Sequence, residues 1–561
     1  MNLSPMIRKK ITLEFLVYLV VLVIAAALRF SSLGALPLTD HEASLGLQAL
    51  RLSKGEQTVL SGEPGYIALT TILFYLFEPT DFTARFWPAL AGTLLVLIPL
   101  LYRERLGKTS ALVLAGFFAL DPLLIGVSRS AEGSMLALLG LLAALGFASR
   151  RQPLWCGLSL GLALAGGPAL WSGVIILIVT LLINRKTFHQ VDGRFLWMAT
   201  ATSGVTLVVL STLFLTNAGG ISSFGSSLVE YWISWSGKSS ASLPGIVAAW
   251  GLSSLPVLVL AVWCLIQGLV RGDARVKWLG LWAGVALVLV LANPSRRFFD
   301  LFWAGMPLLT LAAIKLVELF LNLKSDNRLV VIAETVLVVA LVVFSFMNAV
   351  NLVNNPTMNQ EEYRDRIIGV VLPLILLMGM TVLLAWGWSG VSTRKGLILG
   401  VFLLAVFFTL ANSVKAASLG SQPENEIRRD SGLAVGSEEL LTTIHDISRA
   451  RTGIENLIDV LMIDLEIPSL EWALRDFEHT GSAAVFDPAT TPSIILTGAD
   501  QQITSGASYR GQRILWQVQP DLKNMKVLDW LKWSLFRNAP VEKTEIILWA
   551  RNDLFPGGNT P

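Results

Sequence analysis

Asp40-His41-Glu42 brings three ionisable side chains to the start of one predicted helix, about ten residues beyond the first apolar run. Free N–H groups at a helix start favour an ionised carboxylate. A carboxylate held ionised beside a membrane cavity can take the proton of an attacking hydroxyl, so Asp40 is a candidate general base. Asp40 also fits a plain N-cap, with His41 and Glu42 solvated beside it. His41 with Asp40 and Glu42 could hold a divalent cation, although three successive helical residues point in different directions. Glu132, in Ser128-Arg129-Ser130-Ala131-Glu132, lies between two closely spaced apolar segments, where an ionisable group must be paired or face a polar cavity. It could join Asp40 as the second carboxylate of one site; alternatively Arg129 and Glu132 pair and simply end two helices. Arg296 and Arg297 carry the two-pronged geometry that binds phosphate, and a lipid phosphate or pyrophosphate is their natural partner. Anchoring a span at the headgroups is the other reading of that pair. Asp81 and Arg85, at i,i+4, read as structural.

Other chemistries find little support. Cys156 and Cys264 both fall in apolar runs, so no disulfide framework or cysteine zinc site is available. His189, His445 and His479 lack metal-site spacing, and no GxxxxGK[ST] loop exists to hold a nucleotide.

The elements that must position these residues are membrane helices. The chain has 561 residues, 53% hydrophobic and 15% charged, against about 25% charged in ordinary soluble domains. Its mean hydropathy is +0.63. A hydrocarbon core needs about 20 apolar residues per helix. That length predicts about thirteen spans: 12–31, 81–102, 108–127, 132–149, 153–167, 168–184, 195–215, 244–270, 276–292, 300–322, 329–348, 367–388 and 395–415. The fifth and sixth share one run broken at Gly166-Gly167-Pro168. With Arg8, Lys9 and Lys10 inside, every inner loop is basic, including Arg103, Arg105 and Lys108, then Arg271, Arg275 and Lys277. Arg296-Arg297 is the exception on the outer side. An odd number of spans puts the N-terminus in the cytoplasm and the C-terminus outside.

The first outer loop, 32–80, carries two predicted helices, 43–52 and 66–77, expected to lie at the membrane interface. The loop 217–244 adds Phe224, Tyr231, Trp232 and Trp235 at headgroup depth. From Ala416 the composition changes to 13 Lys/Arg against 20 Asp/Glu, a balance of about −7 that argues against nucleic acid. A membrane domain 1–415, a linker 416–436 and a soluble domain 437–561 follow. In the last, helices at 437–450, 468–477 and 524–536 interleave with strands at 457–463, 483–487, 493–497, 509–518 and 542–551, a small α/β domain.

Several segments in order resemble a known family. They are Asp40-His-Glu42-Ala43, Glu63-Pro-Gly-Tyr66, Asp81-Phe-Thr-Ala-Arg-Phe-Trp-Pro-Ala-Leu-Ala-Gly92, the basic Arg103–Lys108 turn, Asp121-Pro-Leu-Leu-Ile-Gly-Val-Ser-Arg-Ser-Ala-Glu132, and Pro468-Ser-Leu-Glu-Trp-Ala-Leu-Arg-Asp-Phe477. The order is similar to that of C-type fold membrane glycosyltransferases, which include protein O-mannosyltransferases and lipid A aminoarabinose transferases. The nearest branch is the bacterial and archaeal flippase-associated membrane proteins. The resemblance covers about the first 190 residues. It implies sugar transfer from a polyprenyl-phosphate donor at the outer face of the plasma membrane. Asp40 would match the first-loop catalytic acid and Glu132 the acid after the third span. Beside these two, His41, Glu42, Tyr66, Arg129, Arg296 and Arg297 are the residues expected to bind substrate. Glu63-Pro64-Gly65 departs from the usual His-Pro-Pro, and Glu132 after Ala131 departs from Arg-x-Asp.

The expected function is therefore glycosyl transfer to a hydroxyl on lipid, glycan or protein, with no certain cofactor and a divalent metal left open. A flippase or transporter of lipid-linked sugar is the second reading, since Gly166-Gly167-Pro168 breaks an apolar run. An inactive scaffold of a glycan-assembly complex is the third.

Overall fold

In the computed structural model the first apolar run is one helix, α1 (Leu13–Phe30). The structure describes residues 13–183, 192–237, 242–355, 359–419, 432–501, 503–522, 524–536 and 538–555. The basic residues Arg8–Lys10, His189 and most of the expected linker 416–436 lie outside the described residues.

After α1 the chain forms α2 (Asp40–Ser53), α3 (Pro64–Leu76) and α4 (Asp81–Leu95). Both first-loop helices, expected at the membrane interface, bury one face in the protein. Ala43, Leu45, Leu47 and Ala49 of α2, and Tyr66, Ile67 and Phe74 of α3, join the main hydrophobic core. Their apolar faces meet other helices and the C-terminal domain.

Among the described residues, seven helical stretches are long and apolar enough to cross a membrane, or nine if each of two bent pairs is one span. Lys108–Leu120 bends by 58° into Pro122–Ser128. Pro122 donates no hydrogen bond to the preceding turn, and Asp121 caps the new start by accepting from Leu124 N at 3.0 Å. Leu243–Ser253 meets Leu255–Arg271 at 95°. The run 153–184 divides into Pro153–Leu164 and Ala169–Ile183, each shorter than a straight crossing needs. Gly167 between them has φ +94°. The larger number read from the sequence admits such short helices as crossings.

The apolar stretch 360–416 folds back on itself. Asn348 packs against Gly369, and Glu334 accepts from the Thr381 hydroxyl at 2.7 Å, an antiparallel pairing. Gly396 and Gly400 pack against Glu334 and Val338 of the same helix, Arg328–Asn354, in the parallel sense. The reversal falls at Ser389, whose φ −161° and ψ 113° leave the helical region.

The C-terminal domain is a five-stranded sheet with helices. Its strands are β1 (Val460–Ile463), β2 (Thr480–Ala483), β3 (Ile494–Gly498), β4 (Tyr509–Pro520) and β5 (Val541–Arg551). Their order is β2-β1-β3-β5-β4, with β1 parallel to β2 and β3, and β5 antiparallel to β3 and β4. The expected strand at 483–487 is β2, three residues earlier. Leu440, Ile444, Val460, Leu470, Ile494 and Trp516 belong to a core of the domain's own. Trp472 and Trp533 instead belong to the main core, so two helices of this domain, Pro468–Ala473 and Val527–Phe536, pack into the helical part.

Candidate active site

The site assembles where α2 begins. Thr39 is the N-cap, and Glu42 reaches back to its backbone N–H at 2.9 Å, a capping box. Glu42 also receives Arg85 in a two-pronged pair, Nε to Oε1 at 2.9 Å and Nη2 to Oε2 at 2.8 Å, and the Ala131 N–H at 2.8 Å. Burial opposes its charge, but Arg85 and the two backbone donors outweigh burial and pull its pKa down to about 2. Glu42 is thus consumed in fixing the direction of α2. Each residue along a helix turns by about 100°, so the neighbours of Glu42 point elsewhere.

His41 points to two buried carboxylates. Its Nε2 lies 3.6 Å from Glu132 Oε2 and 3.9 Å from Glu63 Oε1. The imidazole is 50% exposed, while Glu63 and Glu132 side chains are 7% and 3% exposed. Arg297 completes the group, its Nη1 3.2 Å from Glu132 Oε2. Glu63 Oε2 accepts from Gly133 N at 2.7 Å, tying the acid before α3 to the turn after Glu132. Gly133 is required there, because a Cβ would stand 2.5 Å from the Gly166 carbonyl.

Charge is divided unevenly in this group. Burial works against Glu132, but Arg297 and His41 outweigh it and hold the carboxyl well below the usual range. Burial pushes Glu63 up to about 7; His41 opposes this and the charge of Glu132 adds to it. Burial also disfavours the charged imidazolium, yet Glu132 and Glu63 raise His41 above its ordinary value. The half-exposed ring loses little hydration, which strengthens that direction. The group thus favours charge on Glu132 and on the imidazole and disfavours it on Glu63.

His41, Glu63 and Glu132 offer one nitrogen and two carboxylate oxygens within 4.8 Å of one another. Glu132 Oε1 is buried with no hydrogen-bond partner among the described residues. A borderline divalent cation takes such an N/O set, so these residues fit one. Two of them differ from the trio read in the sequence, because Asp40 and Glu42 leave α2 in other directions.

No protein-family model matches the chain, and no curated protein matches it. Solved structures do. ArnT from Cupriavidus metallidurans bound to undecaprenyl phosphate matches over 97% of this chain and 99% of that chain, with TM-score 0.55 and 15% identity. Its apo state covers 86% of this chain and 93% of that chain, with TM-score 0.52 and 15% identity. This is the fold of the C-type membrane glycosyltransferases.

Within the C-type fold of this chain the other expected residues have separate places. Asp40 faces the C-terminal domain, where it accepts from Ser469 N at 3.2 Å and from Gln517 Nε2 at 2.7 Å. Tyr66 is wholly buried and donates to Ala84 O at 2.9 Å, a link from α3 to α4. Arg129 donates to the carbonyls of Leu28, Arg29, Ser31 and Ser32, closing the end of α1. Arg296 donates to the carbonyls of Leu291 and Asn293, while Arg297 beside it enters the carboxylate group. The expected Asp81–Arg85 pair is replaced. Arg85 goes to Glu42, and Asp81 accepts from Trp472 Nε1 at 2.7 Å.

Glu63 is the site residue that sequence reasoning passed over as a substrate or ligand group. The signal was there: an acid stands directly before Pro64, where the resembled family carries histidine. The helix Gly220–Ser234 holds its loop, since Gly62 N donates to Glu230 Oε1 at 2.7 Å and the Ser223 hydroxyl to Ser61 O. At its far end Ser234 accepts from Asn293 Nδ2 at 3.1 Å, four residues before Arg297. One helix thereby braces both the Glu63 loop and the Arg297 loop.

Proposed function

We propose that this chain is a membrane glycosyltransferase that moves a sugar from a polyprenyl-phosphate donor to a hydroxyl acceptor. The observation that carries this reading is the half-exposed His41 imidazole set against buried Glu132, with Arg297 on the same carboxylate. A nucleophile, a proton acceptor and an anion clamp can meet there.

The acceptor oxygen attacks the anomeric carbon while the bond from that carbon to the phosphate oxygen breaks, with inversion. The hydroxyl proton passes to the ring nitrogen of neutral His41 that does not face the carboxylates, its Nε2 being turned to Glu132, and the electron pair of the broken bond leaves on the lipid phosphate. Glu132 orients His41 and stabilises the imidazolium that forms. Arg297, 31% exposed, answers the charge growing on the leaving phosphate. Glu63, with its pKa near 7, is placed to relay a proton at the same imidazole. A divalent cation held by Glu63 and Glu132 would supply further positive charge near the leaving phosphate, with His41 kept as the base.

We place the site on the extracytoplasmic side, with the N-terminus cytoplasmic and about thirteen crossings. The basic inner loops support this, as does the docking of the C-terminal domain on the loop that follows α1. Undecaprenyl phosphate, seen in ArnT, is the first lipid carrier to try.

The test is transfer from labelled undecaprenyl-phosphate sugars to membrane acceptors, wild type against His41→Gln and Glu132→Gln. Loss of a positioned base lowers the rate by about 10²–10⁴-fold. Full activity in His41→Gln would overturn the assignment of the base.

A further inference from the structure

Helix α2 is held by two sets of contacts. Glu42 binds Arg85. The C-terminal domain grips it along its length. Ser469 N and Gln517 Nε2 bond both oxygens of Asp40 at its first turn. Trp472 lies over Gly46 in its middle, where a Cβ would stand 3.2 Å from the indole. Arg51 near its end pairs with Glu471.

Trp472 itself is fixed by three partners. Its Nε1 donates to Asp81, its ring lies 5.8 Å from that of Phe74, and the Arg475 guanidinium sits 4.5 Å above it. Arg475 also donates to Pro79 O at 3.1 Å. The grip thus spans α2, α3 and the start of α4. His41 is the residue next to Asp40, so whatever fixes Asp40 fixes the backbone from which the imidazole projects.

We propose that Asp40 is a positioning residue: by clamping the C-terminal domain at Ser469 and Gln517, it sets the first turn of α2 and so the place of His41. Docking of the soluble domain is then a condition of an ordered site. The neutral amide of Asn satisfies the same partners, since Asn Oδ1 accepts from Ser469 N and Gln517 can turn its carbonyl to the Asn NH₂. Alanine satisfies neither. This rests on the transfer reading for its catalytic part; the ordering of α2 stands without it.

Two measurements on the full-length protein in detergent decide the matter. The first is amide hydrogen exchange over residues 40–53, which needs no donor. Asp40→Ala and Gln517→Leu each speed exchange there, the double variant adds nothing further, and Asp40→Asn behaves as wild type. The second is transfer from undecaprenyl-phosphate sugars. Asp40→Ala and Gln517→Leu each lower turnover about tenfold, the pair together by about the same factor, as expected for residues acting as one unit. Asp40→Asn retains turnover within about threefold, with an unchanged pH profile. Exchange unchanged in both single variants, or effects that simply add, overturns the proposal. So does an Asp40→Asn protein as inactive as His41→Gln, which would make Asp40 itself the base. If wild type transfers no sugar, the transfer reading falls and the exchange arm alone still decides whether Asp40 orders α2.

Discussion

Glu132 and Arg297 are 165 residues apart in the chain, and their side chains meet at 3.2 Å. Glu132 follows the broken helix pair that ends at Ser128, and Arg297 precedes the helix Phe302–Leu321. An ion pair with Glu132 buried and Arg297 partly open has a ready second use. The guanidinium also lies 3.7 Å from Asp300, and its planar fork has the shape that suits a phosphate arriving from the open side.

Arg297→Ala should weaken binding of undecaprenyl phosphate by about tenfold or more, the range expected for one charge-assisted contact. Arg129→Ala should leave that affinity unchanged and lower the melting temperature, because four carbonyls around the end of α1 lose their donor. Titrations with the labelled lipid phosphate and thermal melts on both variants check this. Equal loss of affinity in the two would remove Arg297 from phosphate recognition.

Cation binding should depend on pH through Glu63. Its pKa, raised to about 7, means that a cation must displace a proton near neutrality. Mn²⁺ affinity should rise from pH 6 to pH 8, and the rise should be blunted in Glu63→Gln. The raised pKa also has a stability consequence. The contribution of Glu63 is fully present below its unfolded value of 4.5 and is lost as pH rises through about 7. Thermal stability of cation-free protein should therefore fall over that window, on the order of 2 kcal/mol, and Glu63→Gln should flatten the fall. Mn²⁺ titration by electron paramagnetic resonance and melts at graded pH read the two effects.

The bracing of the Glu63 loop can be tested at glycine. A Cβ on Gly62 would stand 2.6 Å from Ser227 Cα and 2.7 Å from Glu230 Oε2. Gly62→Ala should push the helix Gly220–Ser234 off the loop and cost about 1–3 kcal/mol, with transfer reduced. Gly204→Ala, where nothing lies within 4 Å, should be silent in both assays. Comparable melts for the two variants would contradict the bracing role.

Orientation has a direct readout. A reporter fused after Pro561 should be active only outside the cytoplasm, and one fused before Met1 only inside. Cytoplasmic activity at the C-terminal fusion would mean an even number of crossings, with the short helices Pro153–Leu164 and Ala169–Ile183 the first place to look.

Much of the scaffold was legible because local physics decides it. Apolar length marks most membrane helices, Pro64 and Pro122 mark helix starts, and a turn to acidic composition marks the C-terminal domain. Arg297 stood out by breaking the charge pattern, and Glu132 by lying between two apolar segments. The site itself was less legible. Asp40, His41 and Glu42 are adjacent in sequence, and only tertiary structure separates them. Asp40 goes to Gln517, Glu42 to Arg85, and His41 to Glu63 and Glu132. Helix geometry guarantees that three neighbours diverge, but which of them meets a partner depends on what packs around α2. Those partners come from residues 63 to 517. Their meeting is a property of the packed bundle and its docked domain, which no local spacing encodes.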